Sequence, residues 1–114
     1  MSFGGKSRTK EEDARFDRIK RGNCLACWMR DIDLQGQGLV EVHHLLSGGR
    51  RIGHMATVGL CMWHHRAVPL WGCTHAEMRE EYGASLAEGS KPFHREFGSD
   101  AELLTMQNDL LGDR

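Results

Sequence analysis

The sequence LCMWHHR at residues 60–66 decides the fold, because it carries one half of a metal site followed by a spare histidine. Cys61 and His64 are separated by two residues, and a tight turn can direct two side chains with this spacing at one ion. The earlier stretch NCLAC supplies a matching pair, Cys24 and Cys27. Three thiolates and one imidazole are a common ligand set for tetrahedral structural zinc. We therefore predict that these four residues bind a structural zinc.

Size and composition favour one small domain that is stabilised by a metal. The chain has 114 residues, of which 39% are hydrophobic and 7% are aromatic, so its core should be thin. No apolar run approaches the roughly 20 residues of a membrane helix, and the first residues lack the apolar segment of a secretory signal. Seven histidines accompany four cysteines. Reduced thiolates on zinc in a cytoplasm are therefore favoured over two disulfides in a secreted protein.

The charged residues are unevenly distributed, although the net charge is only −1. Residues 1–21 are rich in lysine and arginine, and Arg50, Arg51 and Arg66 lie near the histidines. The sequence from Glu77 onward is mostly acidic. A basic half beside an acidic half fits a protein that holds a polyanion on one face. The alternative for the N-terminal segment is a helix that is merely solvated.

The order of apolar and turn residues predicts an α+β fold with a small zinc-stapled ββα core and flanking helices. Residues 1–8 are small, polar and rich in glycine, so we expect a flexible tail there and a single domain at residues 9–114. Within that domain we expect a basic helix at residues 9–21, the ββα core at about residues 23–68 and C-terminal helices at about residues 74–111.

Finer elements are expected inside these segments. Residues 39–43 and 57–60 have strand character, and a helix or turn should begin at His64. Residues 28–34 are compatible with a short strand, and residues 47–51 with a loop. The C-terminal helices are expected at residues 74–82, 92–97 and 100–111.

The histidine motifs resemble those of the HNH endonucleases in the His-Me finger, or ββα-metal, superfamily. In that superfamily a strand motif of Asp or His followed by His precedes Leu-Cys-x-x-Cys/His-His, and VHHL at residues 42–45 and LCMWHHR at residues 60–66 have this order. The stretches HHLL, GGRRIGH, TVGLC and HHR, with FHREFG and ELL near the end, look like the phage recombination-enhancement, RecA-dependent nuclease family. The match covers roughly residues 23–111.

The resemblance implies a metal-dependent DNA endonuclease that hydrolyses phosphodiester bonds. His44 would be the general base that deprotonates water, which suits an imidazole with an ordinary pKa of about 6.5. His43 and His65 would hold a divalent cation, with the three rings converging on one site. Two neutral imidazoles suit Zn²⁺, Ni²⁺ or Mn²⁺ better than Mg²⁺, although phosphate oxygens could still recruit Mg²⁺. The family also implies a phage or prophage origin in a bacterial host cell, and stimulation by or dependence on a RecA filament.

Further residues are candidates for supporting roles. Arg50, Arg51 and Arg66 could contact DNA phosphates through their forked donors. Ala56 stands where HNH enzymes usually have an asparagine that helps to orient the base. His54 or a backbone carbonyl is expected to take over that task.

A second zinc site is an additional hypothesis. Cys73 and His75, with His94 or His54 as partners, could bind this ion, although their spacing is irregular. For His54 alone, a structural role is an equal alternative to a supporting role in catalysis.

Other interpretations fit the same residues. His44 or His65 could complete the zinc shell, and His64 and His65 could exchange roles because both follow Cys61 closely. The chain could be a non-catalytic zinc module that binds DNA or protein, with no use for the remaining histidines. It could also be a thiol redox protein built on the CLAC stretch, which predicts a disulfide instead of bound zinc.

Overall fold

Helices surround a small antiparallel sheet, so the α+β prediction is confirmed. A computed structural model describes residues 8–34 and 38–112, and the tail predicted at residues 1–8 lies almost wholly outside this part. The elements are, in chain order, α1 (Lys10–Arg21), α2 (Leu25–Met29), β1 (Val40–His44), β2 (Leu46–Ser47), β3 (Arg50–Arg51), β4 (Thr57–Cys61), α3 (Met62–Arg66), α4 (His75–Tyr82), a short 3-10 helix (Leu86–Glu88), α5 (Ser90–Phe97) and α6 (Asp100–Leu111).

The central feature is a pair of strands that leads directly into a helix. β1 pairs antiparallel with β4, so that His43 lies opposite Val58 and His44 lies opposite Thr57. Every residue of β4 is buried, whereas only Val40 is buried in β1. α3 begins at the residue that follows β4. The two strands and α3 form a ββα unit in which β1 is the more accessible strand.

The N-terminal helix is anchored to the sheet by a buried arginine. Phe16 and Ile19 form the apolar face of α1, and Arg15 is 1% exposed beside them. The Arg15 guanidinium donates through Nε to Thr57 Oγ1 at 2.9 Å and through Nη2 to the Thr57 carbonyl at 2.6 Å. Its Nη1 donates to Asn108 Oδ1 on α6 at 2.8 Å. One side chain therefore links α1, β4 and α6.

Two local predictions are wrong. The described residues 28–34 contain no strand, because α2 begins at Leu25 and the Cys24 sulfur caps this helix by accepting the Cys27 N–H. Residues 47–51 are not a loop, because β2 and β3 pair across a tight turn and form a second small hairpin. The periodicity of apolar residues reveals neither a helix that a cysteine sulfur caps nor a hairpin with two residues in each strand.

The C-terminal half consists of helices that cover the core. α4, α5 and α6 lie close to the predicted segments, and Phe93, Phe97 and Leu103 are buried. Within the described ranges, no helix combines the length and the apolar character that a membrane crossing requires. The single domain expected at residues 9–114 stays a prediction.

We predict that Arg15→Met lowers the free energy of unfolding by about 2–4 kcal/mol, because the buried oxygens of Thr57 and the half-buried amide oxygen of Asn108 lose their donor. Urea denaturation of the zinc-loaded protein measures this change. Lys20→Met is the matched control, since Lys20 is exposed on the same helix, and it should change the free energy by less than about 0.5 kcal/mol. Equal stability of the two variants would contradict the anchoring role of Arg15.

Candidate metal centre and active site

Four buried side chains meet where α2 begins and β4 gives way to α3. The ligand atoms of Cys24, Cys27, Cys61 and His64 all lie within 4.8 Å of one another. His64 Nδ1 is 3.3, 3.5 and 3.3 Å from the sulfurs of Cys24, Cys27 and Cys61, respectively. A tetrahedral zinc with bonds of about 2.3 Å to sulfur and about 2.0 Å to nitrogen needs ligand separations of about 3.5–3.8 Å. The geometry therefore fits zinc, and the cluster could hold this ion.

Backbone hydrogen bonds prepare the sulfurs for this task. Cys24 caps α2 and Cys61 caps α3, and each sulfur accepts the backbone N–H of the residue three positions later. Hydrogen bonds with the neighbouring thiols of Cys24 and Cys27 lower the pKa of the Cys61 thiol. A thiolate is the form that binds metal, and helix N-termini favour it.

Of the two adjacent histidines, His64 is the one that lies in the Cys3His cluster. Its Nε2 lies 2.7 Å from the Tyr82 carbonyl, which can only accept a hydrogen bond, so Nε2 carries the proton. Burial lowers the pKa of His64, but hydrogen bonds with the sulfurs of Cys24 and Cys61 outweigh this effect and raise it to about 10. A bound zinc ion would take the place of the proton on Nδ1, which faces the three sulfurs. His65 is not part of this cluster.

A second pair of histidines joins β1 to α3. The rings of His43 and His65 contact edge to face, with centroids 5.0 Å apart. Burial and, next, repulsion from His65 lower the pKa of His43 to about 4, although the Asp100 carboxylate opposes this shift. His43 is therefore neutral near pH 7, and its lone pair is available to a cation. The structure thus brings together two of the three imidazoles predicted to converge.

The third imidazole, His44, lies on the other face of β1. Successive strand residues point to opposite faces, and the contacts agree with this rule. His44 packs edge to face against Phe16 of α1, with centroids 5.6 Å apart, whereas His43 contacts α3. Burial and, next, the charge of Arg51 lower the pKa of His44. His44 therefore flanks the strand end instead of joining the pair in one pocket.

His54 is the direct partner of His44. His44 Nε2 and His54 Nδ1 are 3.0 Å apart, so one ring donates a hydrogen bond to the other. Phe16 packs against both rings at 5.6 Å. The β2–β3 hairpin returns the chain so that His54, two residues before Ala56, reaches His44. The orienting role expected of His54 or of a carbonyl stays a prediction.

Glu41 is a site residue that sequence reasoning missed. It precedes His43 by two residues on β1 and therefore projects to the same face. Its carboxylate lies 2.9 Å from His65 Nδ1 and accepts a two-pronged ion pair from Arg66 at 2.9 and 2.6 Å. Hydrogen bonding from Arg66 lowers the pKa of Glu41 despite its partial burial. The two-residue spacing to His43 was the available signal.

The predicted phosphate contacts differ in their surroundings. Arg50 and Arg51 are exposed on β3, and Arg51 is close enough to His44 to lower the pKa of that imidazole. The Arg66 side chain is 52% exposed, but it is paired with Glu41. Arg50 and Arg51 are thus accessible to a phosphate, whereas Arg66 would have to exchange its partner.

The residues proposed for a second zinc are not gathered into one cluster. Across residues 8–34 and 38–112, the Cys24–His64 cluster is the one group of three or more Cys, His, Asp or Glu ligand atoms within bonding reach of a single ion. The His75 ring packs against Trp63. His94 Nδ1 lies 2.9 Å from the Gly98 carbonyl. His54 contacts His44, and the described residues show no grouping of three of these ligands.

Comparison with known proteins shows the family to which the chain belongs. The family model described as "Recombination enhancement, RecA-dependent nuclease" matches residues 8–112. No curated protein gives a significant match to the chain.

We predict that the purified protein contains about one zinc per chain and that Cys61→Ser loses it, because the site then lacks one thiolate. The free energy of unfolding should fall by more than about 3 kcal/mol, since zinc binding is coupled to folding. Metal analysis and thermal unfolding measure the two effects. Cys73→Ser is the matched control and should keep both zinc and stability. An intact mass that shows a Cys24–Cys27 disulfide and no zinc would instead support the redox alternative.

Proposed function

The chain belongs to the recombination enhancement, RecA-dependent nuclease family, and we propose that it is an HNH-type, metal-dependent DNA endonuclease. The observation that carries this proposal is the contact between His43 of β1 and His65 of α3, with His44 next to them on the strand. Two neutral imidazoles at this separation can share one cation, and the third imidazole remains for proton transfer.

His43 and His65 are the proposed ligands of the divalent cation. Each ring would give one nitrogen, and water and the scissile phosphate would supply oxygen ligands. A cation there would stabilise the negative charge that develops on the phosphate and on the leaving 3′ oxygen. Mn²⁺, Ni²⁺ and Zn²⁺ suit the imidazoles, whereas Mg²⁺ relies on the phosphate oxygens.

His44 is the proposed general base. If its Nε2 donates to His54 Nδ1 across the 3.0 Å contact, its Nδ1 keeps a lone pair that can take a proton from water. Partial burial keeps His44 neutral by lowering its pKa. His54 is then a positioning residue that fixes the ring and the tautomer of the base, in place of the asparagine that Ala56 replaces.

The opposite orientation of His43 and His44 suits displacement at phosphorus. In an in-line reaction the attacking water and the leaving oxygen lie on opposite sides of the phosphorus atom. A phosphate that crosses the accessible end of β1 would have His44 on one side and the His43–His65 pair on the other. Arg50 and Arg51 could then contact the neighbouring phosphates.

DNA is the proposed substrate, and RecA is the proposed partner because the family description names it. Helix α1 carries a basic last turn with Arg18, Lys20 and Arg21, and it is our candidate for a contact with the filament or with single-stranded DNA. We place the protein in the cytoplasm of a bacterial host, encoded by a phage or prophage, on the strength of the resemblance. A non-catalytic zinc module is less well supported, because it gives no reason for the paired histidines on β1 and α3.

We predict that His44→Ala lowers the rate of metal-dependent plasmid nicking by roughly 10²- to 10⁴-fold, because general-base catalysis is lost. Zinc content and thermal unfolding should match those of the wild type. The assay uses several divalent cations, with and without RecA-coated single strands and ATP.

His75→Ala is the matched control, because His75 is exposed and lies outside the proposed centre. This variant should cut at the wild-type rate. If the wild type and His44→Ala behave alike under every condition, the zinc-module alternative is correct.

A further inference from the structure

We propose that Glu41 is a positioning residue for the catalytic cation, because its carboxylate orients the His65 ring and fixes which nitrogen faces the ion. This inference rests on the proposed function and adds a residue to it. Glu41 would act through His65 without touching the substrate.

The contact between the two side chains determines the tautomer of His65. His65 Nδ1 lies 2.9 Å from Glu41 Oε1. An ionised carboxylate can only accept hydrogen bonds, so Nδ1 must carry the proton. In the neutral ring, Nε2 is then the nitrogen with a free lone pair. Histidines that bind metals usually donate their other ring N–H to a carboxylate or a carbonyl in this way.

The strand places the orienting group and the other ligand on one face. Glu41 and His43 are two residues apart on β1, and both point toward α3, where their contacts with His65 lie. His65 is thus held on one side by a hydrogen bond and meets His43 on the other. β1 supplies one proposed ligand directly and sets the orientation of the second.

The negative charge of Glu41 has a second effect, on the affinity of the site for the cation. The two imidazoles are neutral when they bind a cation, so they contribute no negative charge. The carboxylate lies one ring away from the proposed cation and strengthens the donor nitrogen of His65. Arg66 offsets part of this charge, but it also holds the carboxylate from the solvent side through Nε and Nη2.

The competing explanation is that Glu41 merely forms a surface ion pair with Arg66. The two explanations differ in what removal of Arg66 does. A surface ion pair is lost equally when either partner is removed, whereas the hydrogen bond from His65 survives the loss of Arg66.

Calorimetric titration of the zinc-loaded full chain with Ni²⁺, without DNA, tests the proposal. Glu41→Ala should raise the dissociation constant roughly 10- to 100-fold, as is typical when an orienting partner of a metal ligand is lost. Arg66→Ala should bind Ni²⁺ at least as tightly as the wild type, because the charge of Glu41 is then no longer offset. Glu11→Ala is the matched control for loss of an exposed carboxylate and should retain the wild-type affinity. Zinc analysis and thermal unfolding confirm that each variant is folded.

A double-mutant cycle separates positioning from a general charge effect. In a His65→Ala background, Glu41→Ala should have no further effect on Ni²⁺ affinity, because the ring through which it acts is gone. An undiminished effect in that background would overturn the positioning role. Equal loss of affinity in Glu41→Ala and Arg66→Ala would do the same.

The outcome also separates this inference from the proposed function. If the wild type binds Ni²⁺ and His43→Ala does not, the cation site is supported whatever Glu41 does. Wild-type affinity in Glu41→Ala would then overturn the role of Glu41 alone. A wild type that binds no Ni²⁺ beyond its zinc would contradict the cation site itself, and the role of Glu41 with it.

Discussion

The convergence of three sulfurs and one imidazole nitrogen within 4.8 Å is the constraint on which the rest of the structure depends. This cluster joins the start of α2 to the junction between β4 and α3, two places that are far apart in the sequence. Because His64 is held by its Nδ1 in the cluster and by its Nε2 at the Tyr82 carbonyl, the helix cannot rotate freely. His65 is the next residue on that helix. The Cys3His cluster therefore sets the direction of a proposed catalytic ligand that is not part of it.

Local spacing and long-range contact explain what the sequence could and could not predict. The two half-sites have the spacing of a zinc knuckle, so the cluster followed from residue order alone. The choice between His64 and His65 needed the Tyr82 carbonyl, which is 18 residues away from His64. In the sequence, Arg15 is one of seven basic residues at positions 1–21 and has no feature that sets it apart. Its burial becomes visible only in the structure, where it packs against Thr57. The two-residue spacing of Glu41 from His43 was visible in the sequence, but its contact with His65 could be seen only once α3 was placed beside β1.

The alternation of side chains along β1 explains why the three histidine rings do not surround one cation, as the sequence had led us to expect. The sequence led us to expect three rings around one cation, because His43 and His44 are adjacent. In a strand, adjacency in sequence means opposite direction in space. His44 consequently packs on α1 and His54, while His43 meets His65 on α3. The separation does not weaken the nuclease proposal, since a base and a leaving-group cation are needed on opposite sides of the phosphorus atom.

The charge balance of the site argues for a centre that is completed by its substrate. Two neutral imidazoles attract a divalent cation only modestly, and the carboxylate of Glu41 is shared with Arg66. Arg51 adds positive charge close enough to His44 to lower its pKa. Each of these features disfavours a bound cation in the free protein, and each is reversed by an incoming phosphate. DNA would bring negative oxygens to the cation, neutralise Arg51 and offer Arg66 another partner. Such a centre would bind its cation weakly in the free protein and tightly in a complex with DNA. The rate of cutting would then depend on how the DNA is bound.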